Sequence, residues 1–158
     1  MNRIGVTGHQ ELSLSTERFV TNKIKQLLVQ YDSLVGISCL AAGVDQLFTR
    51  LVLALNGTLE IIIPARDYRE TFTNNDDRAA YDTLLTQAAK ITVLPFAKSS
   101  EDAFMAAGQE VVRRCNSLIA VWDGQPSRGK GGTADIVRYA KDNGVPISIV
   151  WPVGATRD

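Results

Sequence analysis

The sequence is poor in the residues that usually announce a chemistry. It has two cysteines and one histidine in 158 residues. Cys39 and Cys115 lack the C-x-x-C or Cys/His spacing of zinc and redox sites, so no metal site and no cofactor is expected, and both are read as buried free thiols. Net charge is absent as well, because 17 basic side chains cancel 17 acidic ones. No global field draws such a chain to nucleic acid or to an anionic membrane, and nucleic acid is therefore not expected as a partner. No run approaches the ~18 apolar residues of a membrane span, and the opening MNRIGVTGHQELS has neither an apolar h-region nor a cleavage pattern. A cytoplasmic protein with no membrane partner is the expectation.

What is present is apolar material and order. Hydrophobic residues make up 45% of the chain, enough for the core of one domain over residues 1–158. Short β-branched runs at 3–7, 34–40, 59–63, 91–94, 118–122 and 146–151 alternate with stretches of helical period at 15–31, 44–55, up to about 90, 100–114 and 133–142. That alternation predicts a three-layer, doubly wound Rossmann-like α/β domain with a mostly parallel sheet of about six strands. Ser15 reads as the N-cap of the first helix, Asn56 and Gly57 as the stop of the second, and Thr133 as a cap of the last.

In such sheets the C-terminal strand ends gather helix N-termini and exposed backbone N–H groups, which bind anions. The loops at that edge contain Thr7, Gly8 and His9, then Ala42, Gly43 and Asp45, then Arg66, and finally the segment DGQPSRGKGG from Asp123 to Gly132. Glycine there lets a phosphate approach the backbone. In the last loop Gly124, Gly129, Gly131 and Gly132 supply glycines, Arg128 and Lys130 supply charge, and Thr133 opens the helix. A phosphorylated small molecule is the natural guest. Gly124 to Lys130 satisfies G-x-x-x-x-G-K, but Gly131 stands where a P-loop needs its magnesium-binding hydroxyl, and no G-x-G-x-x-G follows the first strand. An ordinary P-loop NTPase and an ordinary NAD dehydrogenase are both disfavoured.

Several side chains carry two readings. His9 either donates to a phosphate or transfers a proton, or it is a capping residue. Asp45 either meets a ligand or complements a helix dipole. Asp123 either accepts from a ribose hydroxyl or begins an Asx turn. Arg66, Tyr68 and Arg69 either offer charge and a stacking face or form a surface patch.

Three motifs in order, Gly-x-Thr-Gly at Gly5 to Gly8, Ala-Gly-Val-Asp at Ala42 to Asp45, and Gly-Lys-Gly-Gly-Thr-Ala-Asp at Gly129 to Asp135, resemble the SLOG superfamily of Rossmann-like nucleotide-binding proteins. That superfamily includes the DNA-processing protein A group and the LOG phosphoribohydrolases. The resemblance implies a nucleotide or nucleotide derivative as ligand, with a sensor role. Its alternative implication is a LOG-like hydrolase that cuts the N-glycosidic bond of a nucleoside monophosphate, with Asp135 as the catalytic carboxylate. Relatives commonly associate, so the resemblance also implies a homodimer.

Overall fold

A computed structural model of the chain describes residues 2–127, 129 and 131–155. Arg128 and Lys130, the two cations expected in the glycine-rich loop, lie outside the described residues. The element order is β1 (Asn2–Gly8), α1 (Leu14–Leu28), β2 (Leu34–Ser38), α2 (Val44–Ala54), β3 (Thr58–Ile63), α3 (Asn75–Thr86), β4 (Lys90–Val93), α4 (Glu101–Arg114), β5 (Ser117–Val121), α5 (Thr133–Asp142) and β6 (Ile147–Val150). A single 3-10 turn, Tyr68–Thr71, interrupts the path from β3 to α3.

The six strands form one sheet in the order β4-β3-β2-β1-β5-β6, and every pairing is parallel. The chain therefore winds outward from β1 to β4, returns past its starting strand, and continues through β5 to β6. The direction reverses between β1 and β5, which opens a crevice at the carboxyl ends of those strands. Helices α1, α2 and α3 cover one face around Val20, Ile24, Phe48 and Leu84, while α4 and α5 cover the other around Val111, Val112, Ile136 and Ala140. This is the three-layer architecture that the alternating pattern predicts, with the inner strands apolar on both faces because helices lie over both.

Helix ends follow local chemistry with some shifts. Ser13, not Ser15, caps α1, its Oγ accepting the Thr16 N–H at 3.2 Å. Ser100 caps α4 through the Ala103 N–H, and Asn74 caps α3 through the N–H groups of Asp76 and Asp77. Helix α3 stops at Thr86, short of residue 90, because the Ala89 N–H goes instead to the Leu59 carbonyl and starts the β4 pairing. Asn56 ends α2 with φ 62°, as its type predicts.

Much of the charge is spent on structure. Arg3 of β1 forms a two-pronged pair with Glu60 of β3 at 2.9 Å on each arm, and its Nε donates to the Arg114 carbonyl at 2.7 Å. Arg114 in turn bonds Glu110 at 2.7 Å. Among the described residues no helix is long and apolar enough to cross a membrane.

Candidate functional site

A cleft of about 880 Å³ opens at the carboxyl edge of the sheet, over the reversal between β1 and β5. Three segments far apart in the sequence converge on it. From β1 come Thr7, Gly8 and His9; from the β2–α2 turn come Ala42 and Asp45; and from the glycine-rich loop and α5 come Gly129, Gly131, Gly132 and Thr133. Gly43, Arg66, Asp123, Gly124 and Asp135 are not on its lining.

The two glycine turns have different physical reasons for being glycine. Gly43 has φ 81°, and a Cβ there would lie 2.2 Å from the Gln10 carbonyl oxygen. Glycine here lets the β1–α1 loop press against the start of α2. The Cβ of a residue at Gly8 would likewise meet Val44 and Val121. Gly131, with φ 86°, packs its Cα against the backbone of Phe104 and Met105, so the glycine-rich loop leans on the first turns of α4 and forms a wall of the cleft.

Helix α5 begins at this wall with Gly132 as N-cap and Thr133 as its first helical residue, and Ser127 Oγ accepts the Asp135 N–H of its first turn. The capping role expected of Thr133 is therefore not what its hydroxyl does. Thr133 is buried, lines the cleft, and its hydroxyl makes no hydrogen bond among the described residues. The N–H groups of Thr133 and Ala134, which no helix can satisfy internally, also find no acceptor among the described residues. Two helix N–H groups unmatched among the described residues, beside a buried hydroxyl, favour negative charge there.

Asp135 is placed otherwise than the LOG-like motif implies. Its Oδ2 accepts the Gly131 N–H at 3.0 Å, and its own N–H donates to Ser127 Oγ at 3.1 Å and to the Gly132 carbonyl at 3.1 Å. The carboxylate folds the loop back onto the helix and contributes nothing to the cleft surface. Asp123 takes the turn-forming alternative, with Oδ1 accepting the Gln125 N–H at 3.0 Å. Arg66 is exposed and uses its backbone N–H on the Phe96 carbonyl, while Arg69 pairs with Asp82 at 2.8 Å away from the site.

His9 is held on three sides. Its Nε2 accepts the Asp123 N–H at 3.3 Å, its ring meets the Trp151 ring edge-on at 5.4 Å between centroids, and its carbonyl accepts the Val44 N–H at 3.4 Å. It joins the β1 loop to β5, to α2 and to the segment after β6.

Asp45 is the most perturbed acid of the cleft. Only 8% exposed, its Oδ2 accepts the N–H groups of Cys39 and Ala41, each at 3.3 Å. Burial raises its pKa to about 6, and the hydrogen bonds from Ala41, Cys39 and Ser38 hold the rise in check. It reaches back to the end of β2 while presenting its flank to the cleft. Cys39, expected to be buried, is only half-buried on the same wall, with its thiol pushed up by burial first and by Asp45 second.

The far wall comes from the segment between β3 and the start of α3, which the sequence marks through Arg66, Tyr68 and Arg69; of these, Tyr68 is on the lining and the two arginines are not. Tyr68, Thr71, Phe72, Asn74 and Asp77 line it, and Phe104 of α4 closes it. Tyr68 packs edge-on against Phe72, Tyr81 and Phe104. The described lining carries four carboxylates, on Glu11, Asp45, Asp77 and Glu101, and no Lys or Arg. Among the described residues no three His, Cys, Asp or Glu side chains converge as a metal site.

No family model and no curated protein matches the sequence. Solved structures do match the fold. DNA processing protein A from Streptococcus pneumoniae superposes with a TM-score of 0.70 at 17% identity over 94% of this chain and 50% of its own. The Helicobacter pylori protein of the same name, described for its single-stranded DNA binding mode, gives 0.71 at 15% identity over 98% of this chain and 68% of its own. The molybdenum cofactor carrier protein from Chlamydomonas reinhardtii gives 0.58 at 17% identity over 94% and 75%. The chain thus spans about half the length of the Streptococcus pneumoniae protein.

One expectation is overturned by these likenesses. A summed charge of zero argues against nucleic acid, yet the same fold serves single-stranded DNA binding in the Helicobacter pylori protein. Summed charge is the wrong quantity, since helix N-termini and backbone N–H groups create local positive potential that formal charges do not count. The six parallel strands, the cleft over the β1–β5 reversal and the structural matches together give this chain a Rossmann-like fold that DNA processing protein A and the molybdenum cofactor carrier protein also display.

Proposed function

We propose that the chain binds a nucleotide or nucleotide derivative in this cleft and acts by holding it. The observation that carries the reading is the pairing of the Thr133 and Ala134 N–H groups, unmatched among the described residues, with the buried Thr133 hydroxyl, at a crevice that Thr7 to His9 and the Asp45 turn also line. The phosphate of such a ligand would take the N–H groups of Thr133 and Ala134. Holding rather than cutting follows from Asp135: the carboxylate that the hydrolase alternative needs is committed to the Gly131 N–H and lies off the cleft surface.

Isothermal titration against nucleoside 5′-monophosphates tests this. Saturable binding without release of free base is the expected result, and Gly129→Asp, which places a negative charge on the exposed rim, should weaken it about tenfold. Absence of binding by every nucleotide tried counts against the reading, and release of ribose 5-phosphate restores the hydrolase. A second reading, single-stranded nucleic acid, is favoured by the superposition with the Helicobacter pylori protein over 98% of this chain. It requires a mobility shift on single-stranded oligonucleotides that weakens steeply with salt.

A further inference from the structure

The cleft has two chemically different ends. The α5 start offers backbone donors to an anion, whereas the wall of Tyr68 and Phe104 offers an aromatic surface with carboxylate acceptors nearby. Tyr68 is 5% exposed, lines the cleft, and its phenol hydroxyl makes no hydrogen bond among the described residues. A buried hydroxyl that no described residue satisfies costs stability, so its place in a cleft wall points to a ligand that would accept from it or donate to it. The phenol feels the charges of Asp45 and Cys39, both on the same lining, which fixes the end of the cleft it faces. Burial raises its pKa well above the ordinary tyrosine value, so it stays protonated and able to donate.

Phe104 lies beside it, with ring centroids 6.4 Å apart, and remains 37% exposed although its neighbours Tyr68, Phe72 and Tyr81 are buried. It is the one aromatic of that cluster with a surface still open for stacking. Asp45 and Asp77 add carboxylate acceptors on the same side, and no described Lys or Arg stands among the lining to receive a second phosphate.

We propose that Tyr68, Phe104 and Asp45 form a recognition site for an amino-substituted heterocyclic base, so that the cleft prefers nucleotides whose base carries an exocyclic amine to those that carry an oxo group in its place. This rests on the nucleotide reading above and sharpens it. The aromatic ring of Phe104 takes a face of the base, the Tyr68 hydroxyl donates to a ring nitrogen or carbonyl, and the carboxylate of Asp45 accepts from the amine. An oxo group in the amine's place would set oxygen against carboxylate, an unfavourable exchange that discriminates more strongly than a merely missing contact.

The test compares matched pairs by isothermal titration, AMP with IMP and CMP with UMP, beside ribose 5-phosphate, on the wild-type chain and on Tyr68→Phe. That substitution removes one oxygen and leaves the ring packing intact, and a thermal melt verifies the fold. The amino member of the better-binding pair should bind at least about tenfold more tightly than its oxo partner. Tyr68→Phe should weaken that amino nucleotide severalfold while leaving ribose 5-phosphate unchanged. Equal affinity within each pair, or an unchanged amino nucleotide affinity in Tyr68→Phe, overturns the base site and leaves the nucleotide reading standing if ribose 5-phosphate binds. If no member binds, ribose 5-phosphate included, both readings fall together.

Discussion

Replacing Asp45 with asparagine should make the protein more stable relative to wild type as the pH rises, and the size of the effect follows from its surroundings. The carboxyl is 8% exposed, and burial outweighs the three hydrogen bonds it receives, so that its pKa stands at about 6 against 3.8 in an unfolded chain. The folded state therefore holds its proton more tightly than the unfolded state. Stability from this group is fully present below about pH 3.8 and is lost as the pH climbs through about 6. At about 1.36 kcal/mol per pH unit of displacement, the loss is about 2.5 kcal/mol between about pH 4 and about pH 7.5. Asparagine keeps the shape and a carbonyl acceptor but never carries the charge, so Asp45→Asn lacks this dependence. Urea titrations of both proteins at several pH values measure the difference directly, and thermal melts should see it as roughly 5–10 °C. A difference that stays flat across the interval would mean that water reaches the carboxylate and that the floor of the cleft is not dry.

Three further outcomes follow from the geometry. Gly43→Ala puts a methyl 2.2 Å from a carbonyl oxygen at φ 81°, and should cost about 3 kcal/mol or more in a denaturant titration; Gly124→Ala, with φ 84° but open space around it, should cost only about 1 kcal/mol. Glu60→Gln breaks the two-pronged contact with Arg3, whose hydrogen bonds hold the Glu60 carboxyl below its ordinary range; the penalty of about 1 kcal/mol should be present at neutral pH and vanish as the pH falls through that lowered range. Asp135→Ala releases the Gly131 N–H and should lower the melting temperature by a few degrees, while ribose 5-phosphate affinity by titration changes less than tenfold, because no group of the cleft surface is lost.

The layers, the strand sequence and the edge that carries the cleft are legible in the sequence because they rest on periodicity and punctuation, which are local. Asn56 after α2 can be read directly for the same reason. What escapes is set by neighbours far along the chain. Ser13 rather than Ser15 caps α1, a choice between two serines two residues apart that residue type alone does not decide. Asp135 turns inward because the glycine-rich loop rests on α4, a contact between residues 131 and 105 that spacing alone does not express. The same holds for the half-exposed Phe104 and the hidden Tyr68 hydroxyl, whose significance depends on which side of a helix meets the crevice. A composition summed over the whole chain misleads about nucleic acid, since potential is a local property.

The edge-on contact between His9 and Trp151 has a practical consequence. Trp151 is fastened through its Nε1 to the Ala155 carbonyl at 3.0 Å, and Trp122, the chain's other indole, is fastened to the Gln125 carbonyl at 2.8 Å just before the glycine-rich loop. Both fluorophores thus sit at fixed posts on the threshold where a guest would enter, one touching a lining residue and the other tied to the loop's first turn. Intrinsic emission should report occupancy without any label, and rapid mixing would then read arrival and departure rates from the unmodified protein.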